Sequence, residues 1–248
     1  MSFTQEMKAF AAQAGADLVG VAPVARYAGA PELFHPQRLL PQTKCVVCIA
    51  IRHLHGVLVP QNDRVELYPY QMFGYGWLSN IRLNMVAFEV ARFLEDRGYL
   101  SCPYPSFHQG DNARLSLRHT AVVAGLATLG WNNLAITPKY GTKQRFVAVL
   151  TSAELEPDPM IEDDPCDRCM ACANACPVGA IPRDEEIAYE IAGHPVRVAK
   201  LDKKKCNDCH LGKGGWFENQ YPPFVTFTVA GHCGRCLINC PKGTYAPA

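Results

Sequence analysis

Cys166, Cys169, Cys172 and Cys176 stand at spacings x2, x2 and x3, and Pro177 follows the last of them. A second run, Cys233, Cys236 and Cys240, is again followed by proline, at Pro241. Cys206 and Cys209 lie between. Three thiolates at x2 spacing can wrap one [4Fe–4S] cubane, while the x3 step and the proline throw the fourth away from it. A disulfide framework needs an export context, and residues 1–8 show no signal peptide. Zinc ribbons use CxxC pairs but not a CxxCxxCxxxCP run.

Each cubane takes four thiolates, and in two-cluster ferredoxins the fourth Cys of one run serves the other cluster. Cluster A is therefore expected on Cys166, Cys169, Cys172 and Cys240. Cluster B is expected on Cys176, Cys233, Cys236 and one of Cys206 or Cys209. A ferredoxin-like unit of this kind needs only about the last 90 residues. Residues 154–164 carry six carboxylates, with Pro157, Pro159 and Pro165 in and beside them. That reads as an acidic, proline-broken linker, dividing residues 1–155 from 156–248.

The front part interleaves helix and strand patterns. Residues 3–14 place Phe3, Met7, Phe10, Ala11 and Ala14 on one helical face, with Gly15 as the stop. Residues 17–22 read as a buried strand. Residues 45–51 (CVVCIAI) are apolar on both faces, as in a central strand covered on both sides. Cys45 and Cys48 then point to opposite faces and read as structural thiols. His53 and His55 share a face. Residues 68–77 hold five aromatics and two glycines and read as a loop, either packed on the core or walling a flat ligand. A largely buried helix is expected from Ser79 or Asn80 to about Arg97, and another over residues 115–126. The fold class expected is α+β, close to α/β, on one central sheet.

Hydrophobic residues make up 48% of the 248 residues, ample for a core, and the formal net charge is +1. The balance argues against a nucleic-acid binder, and no apolar run approaches about 20 residues, so no membrane span is expected. Lys200, Lys203, Lys204 and Lys205 form a basic run beside Cys206, either solvated or a docking patch for an acidic electron donor.

Residues 124–141 (AGLATLGWNNLAITPKYG), with Arg145 and Leu155-Glu-Pro-Asp158, resemble a stretch typical of the epoxyqueuosine reductase and reductive dehalogenase superfamily. Gly20-Val-Ala-Pro23 is also similar to an early strand end of those proteins. The resemblance implies a nitroreductase-like front domain that binds cobalamin base-off, followed by a ferredoxin-like domain with two [4Fe–4S] clusters. Electrons would pass through the clusters to cobalt, which reduces a small molecule. It implies Cys206 as the eighth ligand, because Lys204-Lys205-Cys206 matches a basic step before the family's lone Cys. It places the catalytic acid on Asp111 and a pocket residue on Tyr140. It assigns cofactor contacts to Trp131, Asn132, Thr137, Lys139, Tyr140 and Gly141.

The chain runs seven residues past Pro241, without the tRNA-binding extension or twin-arginine signal found in parts of the superfamily. The expectation is a small, stand-alone, cytoplasmic relative working anaerobically. Its electron donor would be a ferredoxin or flavodoxin, and a homodimer stays open. Two alternatives fit the same sequence: a non-enzymatic electron-transfer protein serving a corrinoid partner, and a flavin-dependent reductase on the same fold.

Overall fold

The computed structural model describes residues 1–62, 68–106, 113–210 and 233–244. Its centre is an antiparallel sheet of β1 (Leu18–Pro23), β2 (Cys45–Arg52), β6 (Gln144–Thr151) and β3 (Ser101–Tyr104), in the order β1-β2-β6-β3. β2 is buried from Cys45 to Ile51, as its two-faced apolar sequence requires. Val46, Cys48 and Ala50 enter one core, with α4 (Leu117–Val123) above them. Cys45, Val47 and Ile49 enter the other, against α1 (Phe3–Gln13) and α3 (Leu83–Glu95). The two thiols therefore lie on opposite faces of the sheet. Each fully buried Val or Ile here contributes roughly 1.5–3 kcal/mol.

α1 begins with a capping box between Ser2 and Gln5, and Gly15 follows it at φ +108°. Met7 and Ala11 are buried with Phe3, Phe10 and Ala14 packed beside them, the face read from the sequence.

Residues 68–77 are not a loop. Tyr70–Gly76 and Leu78–Arg82 form π-helical turns that run directly into α3. Gly74 is a packing glycine, since a Cβ there would stand 2.6 Å from the Tyr70 ring. Nor is the helix buried all round: Phe73, Trp77, Ile81, Met85 and Phe88 are exposed. They recur at spacings of three or four, one helix face away from the sheet.

β4 (Thr128–Leu129) and β5 (Ala135–Ile136) make a small hairpin, leading to the bridge between Thr137 and Gly141. The C-terminal part contains α5 (Ala171–Ala175), the hairpin β7 (Glu186–Ile191) and β8 (His194–Ala199), α6 (Lys203–His210) and α7 (Arg235–Ile238). It is not set apart from the front part. Ile191, Val196 and Val198 of the hairpin join the same core as β2 and α4.

The acidic stretch is pinned rather than slack. The Asp158 carboxylate accepts from Lys8 Nζ at 2.6 and 2.7 Å and from the Val21 amide at 2.8 Å. Its backbone carbonyl accepts from Arg26 at 2.7 Å. Gly125, at φ +72°, lets Pro159 pass: a Cβ would meet the Pro159 carbonyl oxygen at 2.1 Å. Two stretches of the sequence resemblance thus touch each other. Asp158→Ala is expected to lower the unfolding free energy by about 2 kcal/mol, because it strands a half-buried lysine and a backbone amide. Denaturant melts should show a lower midpoint at unchanged slope. Among the described residues no helix is long and apolar enough to cross a membrane.

Candidate metal centres and cavity

Cys166, Cys169, Cys172 and Cys240 line one pocket, although 74 residues separate the first from the last. The local backbone accounts for the first three. Arg168 and Met170 take left-handed conformations, φ 56° and 59°, which curl the chain around a centre instead of extending it. α5 then carries Cys172, and α7 packs against α5 and delivers Cys240. The Trp131 amide donates to Cys166 Sγ at 3.3 Å, the kind of contact that tunes a cluster's potential. The Trp131 indole donates to the Pro182 carbonyl at 2.8 Å, and the Arg168 guanidinium lies 5.1 Å from its ring. Cys169 is exposed while Cys172 and Cys240 are buried, so the pocket opens to solvent on one side.

A second group of thiols gathers beside the first. Cys176 lies close enough to act electrostatically on Cys206, Cys209 and Cys236, and Cys233 acts on Cys206 and Cys236. Cys176 Sγ accepts from the Ala180 amide at 3.2 Å. Cys206 and Cys209 are one turn apart on α6, so both face this group. A hydrogen bond from Cys233 to Cys209 holds Cys209 below and Cys233 above the ordinary thiol range. The geometry gathers five thiols here, and both candidates for the eighth ligand are among them. Burial, reinforced by neighbouring thiols, pushes Cys172 and Cys206 up to about 11. Metal binding deprotonates such thiols, and a donor set made of sulfur alone, four of them lining one pocket, is of the kind that iron–sulfur clusters take.

Next to the second group lies a cavity of about 750 Å³. Leu237, the neighbour of Cys236, and Lys203, one turn before Cys206, are in its wall. Leu115, Leu134 and Phe146 supply apolar surface, and Ser116, Thr142 and Gln144 supply hydrogen-bonding groups. An amphipathic wall of this volume is of the kind that holds organic cofactors, and its mix of apolar and hydrogen-bonding groups suits an apolar ring fringed with amides.

The residues assigned to the cofactor by sequence resemblance stand elsewhere. Trp131 and Asn132 line the pocket of the first four thiols. Asn132 also donates to the Cys236 carbonyl at 3.2 Å. Thr137, Tyr140 and Gly141 form a tight buried turn: the Tyr140 amide donates to Thr137 Oγ1 at 3.1 Å, and the Gly141 amide to the Thr137 carbonyl at 2.9 Å. Tyr140 is buried, with its hydroxyl 3.5 Å from Asp17 Oδ1, and the Lys139 ammonium lies 5.0 Å from its ring. None of the six is in the wall of the large cavity. The turn instead seats the C-terminal cysteine run, because Gly141 packs against Lys242. Asp111 lies outside the described residues; Ser106 and Ala113, which bracket its segment, are both in the cavity wall.

Arg145, part of the stretch that carries the resemblance but given no role there, stands at the cavity wall. It is the second residue of β6, donates to the Tyr70 hydroxyl at 3.1 Å and stacks 4.2 Å over the Tyr75 ring. His53 is buried beside Tyr70, and burial together with Arg145 lowers it well below the usual histidine range. His55 begins α2 (His55–Asn62) and is exposed. The signals for Arg145 in the sequence are its place in the stretch of the resemblance and its charge near the start of an otherwise apolar strand.

The family profile of the 4Fe-4S binding domain matches residues 159–181. The chain is 25% identical over 215 residues to an epoxyqueuosine reductase of Bacillus cereus, covering 84% of this chain and 50% of that protein. It is 38% identical over 165 residues to a tetrachloroethene reductive dehalogenase of Dehalobacter restrictus, covering 62% and 26% respectively. Among solved structures, it is similar to a reductive dehalogenase whose structure suggests a mechanism for B12-dependent dehalogenation. That match has TM-score 0.65 at 19% identity over 95% of this chain and 31% of the other. The chain spans about half the length of the epoxyqueuosine reductase and about a quarter of the dehalogenase.

Proposed function

We propose that this chain, which is similar to epoxyqueuosine reductases and reductive dehalogenases, is an iron–sulfur reductase with two [4Fe–4S] clusters and a corrinoid. The observation that carries the reading is the juxtaposition of two thiol groups and a cavity. The first group is open to solvent at Cys169, the second adjoins it, and the cavity flanks the second. That order suits electrons entering at the exposed end and leaving beside a bound cofactor. Cobalamin would supply the low-potential chemistry needed to reduce a small molecule.

The chain's own residues do the rest. Cys166, Cys169, Cys172 and Cys240 hold one cluster. Cys176, Cys233 and Cys236, with Cys206 as eighth ligand, hold the other. Leu115, Leu134 and Phe146 exclude water from the cavity, which strengthens the polar contacts inside it. Asp111 donates the proton that a reduced substrate requires. The electron donor is a small redox protein such as a ferredoxin or flavodoxin. The lysine run is a poor docking patch for it, since Lys200, Lys204 and Lys205 pair with Glu185, Asp208 and Asp202.

Anaerobic reconstitution with iron, sulfide and cobalamin, followed by desalting, tests this reading. About eight irons per chain and a retained corrin absorption are expected. A flavin spectrum, or no bound chromophore beyond the clusters, would overturn the corrinoid reading. Asp111→Asn is expected to reduce turnover at least about a hundredfold while iron and corrinoid contents stay unchanged. A normal rate would remove Asp111 from the chemistry.

A further inference from the structure

The wall of the large cavity carries three cations, Arg118, Arg145 and Lys203, and no Asp or Glu among its described residues. None of the three takes part in an ion pair with a carboxylate of the described residues, although such pairs are frequent elsewhere on the surface. Lys203 is exposed to solvent, and the Arg118 guanidinium, although its residue is exposed, is partly desolvated and donates to the Asn133 carbonyl. Arg145 is different. It is half-buried, its Nε is shielded from solvent, and that atom has no hydrogen-bond partner. Its neighbours among the described residues carry no negative charge: the Tyr70 hydroxyl, the Tyr75 ring, the buried imidazole of His53 and the imidazole of His210.

A guanidinium withdrawn from water without a counter-charge is unfavourable, and it persists where something else supplies the charge. Tyr75 fixes the plane of this one by stacking, and Tyr70 occupies one of its donors. The remaining donors of a guanidinium held in this way are matched to a carboxylate or phosphate oxygen. Arg118 and Lys203, on α4 and α6, raise the local concentration of anions at the same wall.

We propose that the ligand of this cavity carries an anionic oxygen group, a carboxylate or a phosphate, that binds Arg145 with Arg118 and Lys203 around it. This rests on the reading of the cavity as the cofactor and substrate site. Two sources share the chemistry: the phosphodiester in the nucleotide tail of cobalamin, and an acidic group on the small-molecule substrate.

The experiment uses the cluster-reconstituted protein and matched probes. Cobalamin is compared with cobinamide, a corrin without the nucleotide and its phosphodiester. Benzoate and inorganic phosphate are compared with benzamide by calorimetry. The anionic member of at least one comparison is expected to bind about 10–100-fold more tightly. Arg145→Gln should abolish that preference, and Arg145→Lys should restore part of it. Iron content equal to wild type shows that the variants fold, and Arg118→Gln provides a weaker, independent loss. Preference for cobalamin over cobinamide assigns the group to the cofactor; preference for benzoate or phosphate assigns it to the substrate. Equal binding of charged and neutral probes, or a preference that survives Arg145→Gln, overturns the proposal. If no corrin binds at all, the corrinoid reading fails while the benzoate and phosphate comparison still decides this one.

Discussion

Gly141→Val is expected to strip the chain of the cluster on Cys166, Cys169, Cys172 and Cys240 while leaving the other in place. Gly141 sits at φ +60°, and a Cβ there would stand 1.8 Å from the Lys242 carbonyl oxygen. The left-handed conformation alone costs a non-glycine residue about 1–2 kcal/mol. The overlap is with backbone, so it cannot be relieved by turning a flexible side chain. Lys242 is two residues past Cys240, so moving it moves the fourth ligand. Neighbouring bonds tie the same two segments together: Thr142 Oγ1 donates to the Leu237 carbonyl at 2.7 Å, and Lys143 Nζ to the Cys240 carbonyl at 2.7 Å. Iron assay of the anaerobically reconstituted variant should give about half the wild-type content, with the far-ultraviolet circular dichroism retained. Full iron content would show that the turn does not position Cys240.

Cys240→Ala and Cys176→Ala are expected to destroy different clusters. The run from Cys166 to Cys176 looks like four ligands for one centre, yet the structure divides it. Cys166, Cys169 and Cys172 line a pocket with Cys240, whereas Cys176 lies with the thiols of α6 and the last cysteine run. Cys240→Ala should therefore remove the same electron paramagnetic resonance signal as Cys166→Ala. Cys176→Ala should remove the signal lost in Cys233→Ala. Either break should stop electron delivery to the cavity, a loss of at least about a hundredfold in reductive turnover. If Cys176→Ala and Cys166→Ala erased the same signal, the crossed wiring would be wrong.

The parts legible in the sequence are those set by short-range periodicity and ligand spacing. The alternation along Cys45–Arg52 separated two thiols onto opposite faces, and Cys240 lines one pocket with Cys166, Cys169 and Cys172. The parts that were not legible depend on tertiary packing. Five aromatics and two glycines between Tyr68 and Trp77 look like a loop, but Gly74 is there to admit the Tyr70 ring, and the segment is helical. Carboxylates and prolines around Asp158 look like a linker, but one carboxylate is bound by Lys8 and the Val21 amide. The TPKYG turn shows that a motif shared with a family can mark packing as well as ligand contact. Arg145 could not be assigned a role before Tyr70, Tyr75 and the cavity were placed around it.

A reductive titration of the protein reconstituted with both clusters and cobalamin tests the central claim most directly, with cluster and corrin absorption followed in one anaerobic sample. Electron flow from the thiolate-held centres to the cavity predicts that the clusters bleach and the bound cobalamin is then reduced. It also predicts that Cys176→Ala, with its corrinoid still bound, loses cobalamin reduction but keeps bleaching of the remaining cluster. Cobalamin that stays oxidised while both clusters are fully reduced, or that is reduced equally well in Cys176→Ala, would contradict it.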